Sequence, residues 1–165
     1  MRPDRPGAPV PVVTPWNDFY WHGGADGVLR MQRCGDCAKL LFPPGPRCPT
    51  CLSERLEVVD LSGKAVVEAF TVNHQQWHPA FEPPYVVAAV ALAEDPAVRI
   101  TTNIVGVDCD DVYIGMPVRA TFEQRGDVWV PLFEPDPEVI PREPRILEPM
   151  VASRDLEEPV SPVRF

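Results

Sequence analysis

Four of the five cysteines fall as Cys34-Gly-Asp-Cys37, ten further residues, then Cys48-Pro-Thr-Cys51. Each two-residue gap folds into a tight knuckle that aims two thiolates at one ion. The intervening loop brings the knuckles together, giving tetrahedral sulfur coordination at about 2.3 Å. Gly35 and Pro49 suit such turns. Outside an oxidising compartment the pattern reads as a metal site rather than a disulfide framework. Zinc is the expected ion. A rubredoxin-like site would hold iron in the same ligands and transfer electrons, and a metal-free quartet is a third reading. Four sulfurs leave no position open for substrate, so the zinc is expected to be structural. It would hold together a ribbon too small for a core of its own.

Other chemistry is sparse. His74 and His78 are four apart and could share a metal on a helix, but Pro79, Pro83 and Pro84 make their segment a loop. That loop carries His74, Trp77, His78, Phe81 and Tyr85, a semi-rigid amphipathic surface of the type found at interfaces. Covering one mouth of a barrel is the alternative. Cys109 reads as a small apolar residue, and Asp108, Asp110 and Asp111 as a solvated turn without a calcium-loop pattern. There is no Walker loop, dinucleotide fingerprint or nucleophile elbow. Ser53, Ser62, Ser153 and Ser161 all fall outside the expected strands. No catalytic residue is assigned, and the chain is not expected to be an enzyme on its own.

The elements that must position these groups are mostly strands. Prolines number 22 of 165, against about 5 % in an average protein, a density helices do not tolerate. One short helix is expected, with Thr14 as N-cap, Pro15 at its first position, and Trp16, Phe19, Tyr20 and Trp21 running to a stop at Gly23-Gly24. Those four aromatics pack on their own domain or on a partner. Val28 to Gln32 leads into the first knuckle and Leu40 to Phe42 leads out. Five β-rich runs follow: Lys64 to Val72, Tyr85 to Leu92, Arg99 to Val107, Pro117 to Gln124 and Val128 to Phe133. In the fourth, Val118, Ala120 and Phe122 alternate with Arg119, Thr121 and Glu123, which predicts one buried and one outward face. Five short strands fit a small Greek-key barrel of the OB type. The fold is therefore mainly β, divided into an extended arm and aromatic helix (1–24), a rubredoxin-like zinc ribbon (25–60), a five-stranded OB-fold barrel (61–134) and a proline-rich acidic tail (135–165).

Charge narrows the partners. Against 24 acidic residues there are 15 basic ones, a net −9, and the only lysines are Lys39 and Lys64. Nucleic-acid and anionic-membrane binders neutralise phosphates, and this balance disfavours both. A single-stranded nucleic-acid binder stays an alternative because ribbons and OB barrels commonly serve there. No apolar run approaches the roughly 18 residues of a membrane span. The start, Met1-Arg2-Pro3-Asp4-Arg5-Pro6, lacks the apolar core of a signal peptide and reads as cytoplasmic.

The ordered set is distinctive: an aromatic helix, Gly27-Val28-Leu29-Arg30, the first cysteine pair, Phe42-Pro43-Pro44, the second pair, His78-Pro79-Ala80-Phe81, Pro84-Tyr85-Val86-Val87, Asn103-Ile104-Val105-Gly106 and Gly115-Met116-Pro117-Val118. From Trp16 to Pro135 this resembles the zinc-ribbon plus OB-fold accessory family long labelled a domain of unknown function. It is similar to the module that accompanies lipid-transfer-protein aldolases of actinobacterial steroid side-chain breakdown. The resemblance implies a thiolase-fold partner that performs the chemistry, a retro-aldol cleavage of a steroid acyl-CoA to propionyl-CoA and a 17-ketosteroid. It implies a coenzyme A thioester as substrate of the complex and two copies of each chain. It carries the metal role to Cys34, Cys37, Cys48 and Cys51 and no catalytic role to any residue. A thiolase, condensing or hydratase complex acting on another acyl-CoA would leave the same marks.

Overall fold

The computed structural model describes Arg5 and residues 7–139; the rest of the acidic tail lies outside the described residues. One helix, α1 (Asp18–His22), is followed by a 3-10 turn over Gly23–Asp26 and eight strands: β1 (Leu29–Cys34), β2 (Leu40–Leu41), β3 (Leu56–Leu61), β4 (Lys64–Asn73), β5 (Tyr85–Leu92), β6 (Arg99–Ile104), β7 (Pro117–Arg125) and β8 (Val128–Pro135). The first three form an antiparallel sheet in the order β2-β1-β3, and the last five close a barrel in the order β4-β5-β6-β8-β7. This is the mainly β ribbon-and-barrel architecture read from the sequence. Every barrel pairing is antiparallel except β6 with β8, which share one registered pair, Ile104 with Phe133. No helix of the described residues is long and apolar enough to cross a membrane.

One apolar cluster joins the two parts. Leu29 and Met31 of β1, Leu40 of β2 and Leu61 of β3 pack with Val67, Val90, Ile100, Val118 and Phe133 of the barrel. Tyr20 of α1 is buried in the same cluster, and that burial pushes the ionisation of its hydroxyl above the usual range. The tip of the ribbon has a second, much smaller cluster built on Cys34, Leu41 and Cys48.

The helix differs from its expected form. Thr14 does not cap it. The Thr14 carbonyl instead accepts from the N–H groups of Asn17 and Asp18, both at 3.1 Å, and its own N–H donates to Asn17 Oδ1 at 2.7 Å. The first turn is therefore a tight turn, and the α-helix begins one turn later. The α-helix ends at the glycines as expected, with Gly23 at its C-cap, but Gly23 and Gly24 do not break the turning path of the backbone. They continue as a 3-10 turn that ends at Gly27, whose φ is +73°. Their glycine identity comes from crowding. A Cβ on Gly24 would stand 2.4 Å from Trp129 Cβ and 2.5 Å from Phe122 Cδ1, and one on Gly23 would stand 2.5 Å from the Val28 carbonyl oxygen.

Strand β3 was not among the expected strands, yet it pairs with β1 along its whole length, from Leu29 with Leu61 to Cys34 with Leu56. Glu57 and Asp60 sit on its exposed positions and break the apolar run that would have announced it. In β7 only Arg119 of the three outward-assigned residues is exposed; Thr121 and Glu123 are buried. The second half of that strand is covered on both faces, by the Gly23–Asp26 turn over Phe122 and by the N-terminal arm over Glu123.

The crowding at Gly24 predicts that Gly24→Ala lowers the denaturant midpoint by about 1–3 kcal/mol of stability, the cost of overpacking a closed contact. Gly45→Ala, where a Cβ meets open space, should stay within about 0.5 kcal/mol of the parent.

Candidate metal centre and the pocket at the barrel mouth

The two knuckles are built alike. Cys34 ends β1, its N–H donates to the Lys39 carbonyl and its carbonyl accepts from the Ala38 N–H, both at 2.9 Å. Cys48 repeats this with Ser53 and Leu52, again at 2.9 Å. Closing each loop requires a left-handed residue directly after the second cysteine, and Ala38 (φ 59°) and Leu52 (φ 61°) supply it without being glycine. Across the knuckles, Asp36 accepts from the Ser53 hydroxyl and pairs with Arg55.

The four sulfurs lie within 4.8 Å of one another, the sole group of three or more metal-capable side chains brought together among the described residues. Cys34 Sγ and Cys51 Sγ are 3.5 Å apart, and Cys37 Sγ and Cys48 Sγ 3.6 Å. A tetrahedron with sulfur bonds of about 2.3 Å has an edge of about 3.8 Å, so the donor set fits one zinc-sized ion. The electrostatics fit too. The Cys51 N–H, with help from that of Thr50, pulls the Cys48 thiol down to about 6. At Cys51 the Ser53 N–H acts in the same sense, but the thiols of Cys34, Cys37 and Cys48 together with desolvation outweigh it and push Cys51 up to about 12. Four thiolates in so small a volume need a dication to ionise together. A bound metal would be held by Cys34, Cys37, Cys48 and Cys51, with backbone N–H groups directed at the sulfurs as a second layer of support.

The interface candidates divide by direction. In the aromatic helix Tyr20 is buried and Phe19 and Trp21 pack against the core, while Trp16 is 52 % exposed. In the 74–85 loop His74 and Trp77 face solvent, and Trp77 is 71 % exposed. Its indole N–H donates to Asn73 Oδ1 at 2.8 Å, which fixes an exposed ring in place. His78, Phe81 and Tyr85 turn inward as a stack with centroid spacings of 5.6 and 6.0 Å. The two histidines occupy a loop, as their prolines require, and His78 Nδ1 accepts from the Ala80 N–H at 3.2 Å.

That stack opens onto a pocket of about 320 Å³ at one mouth of the barrel, lined by Phe81, Tyr85, Asn103, Leu132, Glu123 and Arg125, among others, and reached by Arg5 of the arm. Sequence reasoning placed Glu123 outward and passed over Arg125 and Arg5. The available signal was Glu123 and Arg125 two apart on one strand face and opposite in sign, directly after Phe122.

Residues 21–57 match a family model described as the ChsH2 rubredoxin-like zinc ribbon domain, and residues 58–123 one described as the ChsH2 C-terminal OB-fold domain. A probable enoyl-CoA hydratase alpha subunit of Thermomonospora curvata is 40 % identical over 128 residues, covering 77 % of this chain and 40 % of that protein. The 3-oxo-4,17-pregnadiene-20-carboxyl-CoA hydratase alpha subunit of Mycobacterium tuberculosis is 37 % identical over 118 residues, covering 72 % and 37 %. The chain thus spans about two fifths of the length of these curated relatives. Among solved structures it is similar to a chain of the Ltp2-ChsH2(DUF35) aldolase, with a TM-score of 0.69 and 38 % identity, covering 76 % of this chain and 98 % of that one.

Replacing one sulfur should separate the two clusters. Cys48→Ser is expected to lose the metal and to sensitise the ribbon tip, around residues 35–55, to protease. The barrel's β-sheet circular dichroism should remain, because its closing pairs lie elsewhere. Elemental analysis of the parent should return a single zinc per chain and a colourless protein; visible absorbance would mark iron instead.

Proposed function

The chain belongs to the ChsH2 family of paired rubredoxin-like zinc ribbon and OB-fold domains, and from that premise we propose that it is a non-catalytic accessory subunit of an acyl-CoA enzyme complex. The partner that carries the chemistry has the thiolase fold. The observation that carries this reading is the likeness to the Ltp2-ChsH2(DUF35) aldolase, which spans 98 % of the matched chain at 38 % identity. The same likeness supports the finer assignment to a steroid side-chain retro-aldolase that releases propionyl-CoA and a 17-ketosteroid. In this reading the coenzyme A thioester is the substrate of the complex, and the complex is cytoplasmic with two copies of each chain.

The ribbon's zinc is structural and bound by Cys34, Cys37, Cys48 and Cys51. It keeps the knuckles folded and adds no reaction step. The contribution of this chain is to bind and stabilise the catalytic subunit, and Trp16 and Trp77 are suited to that work. Both are large, exposed and amphipathic, and Trp77 is already held by Asn73, so little rotamer freedom is lost on docking. Phe19, Tyr20 and Trp21, packed into this chain, set the position of Trp16, and His74 and His78 lie on either side of Trp77 in the sequence of its loop. A second reading, a hydratase complex acting on another acyl-CoA, is favoured by the identity to the two hydratase alpha subunits.

A tagged copy purified from its native host grown on sterol should co-elute with a near-stoichiometric thiolase-fold protein, identified by mass spectrometry. The pair should release propionyl-CoA from a 17-hydroxy steroid acyl-CoA, and this chain alone should not. Elution with a hydratase-type subunit would select the second reading, and elution alone or with nucleic acid would remove both. Given the partner, Trp77→Ala should weaken the complex by about 2 kcal/mol, the level of an interface hot spot, with the melting temperature of the free chain unchanged. Unaltered affinity would place the interface elsewhere.

A further inference from the structure

The pocket at the barrel mouth contains a charge pattern that the accessory role does not use. Glu123 is 2 % exposed, and both its oxygens are engaged, Oε1 by Arg125 Nε at 2.8 Å and Oε2 by an Arg5 guanidinium nitrogen at 2.9 Å. Two guanidiniums therefore share one carboxylate. Both also stand over the same face-forming ring, 5.4 and 5.5 Å from the centroid of Phe81. Arg125 is itself buried, and its further contact is the Pro9 carbonyl at 3.1 Å, a dipole rather than a counter-charge. Glu82 lines the rim but is exposed, and it forms no ion pair with either guanidinium among the described residues.

Glu123 and Arg125 are buried and the Arg5 side chain is 37 % exposed, so the partly desolvated cluster, with one more cation than anion, gains when an anion enters. Apart from Asn103, the rest of the lining is apolar or aromatic, including Tyr85, Ile104, Val105 and Leu132. The cavity, about 320 Å³, is at the small end of the range of about 300–1,000 Å³ for small-molecule sites. A bare inorganic anion would leave this lining unused, and a neutral apolar molecule would leave the surplus charge uncompensated.

We propose that the barrel mouth binds a small organic carboxylate with an apolar body. Its head group neutralises the surplus charge of the Arg5–Arg125 pair, and its body lies against Phe81, Tyr85 and Leu132. The site belongs to this chain alone and does not depend on the identity of the catalytic partner. Arg5 approaches from the N-terminal arm, so the arm completes the site and the ligand in turn holds the arm in place.

The test uses the full chain and three probes, 4-phenylbutyrate, the uncharged 4-phenylbutyramide and inorganic phosphate, titrated by calorimetry or ligand-observed NMR. Saturable binding of 4-phenylbutyrate is expected, at least about tenfold tighter than either comparator, as one charge-assisted contact plus apolar burial would give. Arg5→Ala leaves the Glu123–Arg125 pair intact and should cost about tenfold in affinity for the carboxylate without altering its binding to the amide. Arg125→Gln alone leaves buried Glu123 with Arg5 as its one ion-pair partner and could loosen the strand end. The triple variant R5A/E123Q/R125Q removes all three charges while keeping both β7 side-chain shapes, and should abolish the preference for carboxylate over amide. Equal affinity for phenylbutyrate and the amide, tighter binding of phosphate, no binding at all, or unchanged carboxylate affinity in folded Arg5→Ala would each overturn the proposal.

Discussion

Four sulfurs held within 4.8 Å of one another cannot all carry charge without a cation between them, and the ribbon depends on that constraint. Its tip has almost no other core: among the described residues, Leu41 and Leu56 are the non-cysteine apolar side chains packed with the cysteines. Strand β1 carries the consequence inward. Cys34, at its end, belongs to the sulfur cluster, while Leu29 and Met31, earlier in the same strand, belong to the main apolar cluster. One six-residue strand thus ties a metal-dependent tip to a barrel that closes by its own ladders. The ribbon contributes to the joint core only while its β2-β1-β3 sheet keeps the register that the knuckles impose.

What was legible in the sequence follows from signals with a short physical range. Two-residue cysteine gaps admit few backbone solutions, so the quartet announced its geometry. Barrel strands bounded by prolines, glycines and charged turns announced their ends, and the limits of β5 came out unchanged, Tyr85 to Leu92. Signals that depend on distant partners misled. Gly23 and Gly24 read only as a helix stop, which they are, but each is also glycine because of crowding from beyond the helix, Gly23 against the Val28 carbonyl and Gly24 against Phe122 of β7 and Trp129 of β8. Glu123 looks outward by alternation, but the arm that buries it lies more than a hundred residues away in sequence. Glu57 and Asp60 hid β3 because an edge strand accepts charge on its open side.

The aromatic residues illustrate why residue type alone does not locate an interface. Eight aromatic or imidazole rings were candidates on chemistry alongside His74, and the fold spends most of them internally. Tyr20, Phe19 and Trp21 seat the helix on the core, Phe81 and Tyr85 wall the pocket, and His78 packs behind Phe81. Only Trp16 and Trp77 are left as large exposed rings among them.

The barrel is not closed evenly. Where β6 meets β8, a single registered pair is reinforced by the Val105 N–H to the Phe133 carbonyl at 2.8 Å. Farther along, Pro131 has no N–H to offer, and the Thr102 hydroxyl reaches across to its carbonyl at 3.0 Å in place of a ladder bond. A seam with so few backbone bonds is expected to open at low local cost, beside the longer antiparallel ladders of β4 with β5, β5 with β6 and β7 with β8. Ile104 and Leu132, on the two strands of that seam, also line the pocket. The mouth of the barrel is thus its most compliant part, and slow amide exchange in β4, β5 and β7 would coexist with fast breathing at the wall where a guest has to enter.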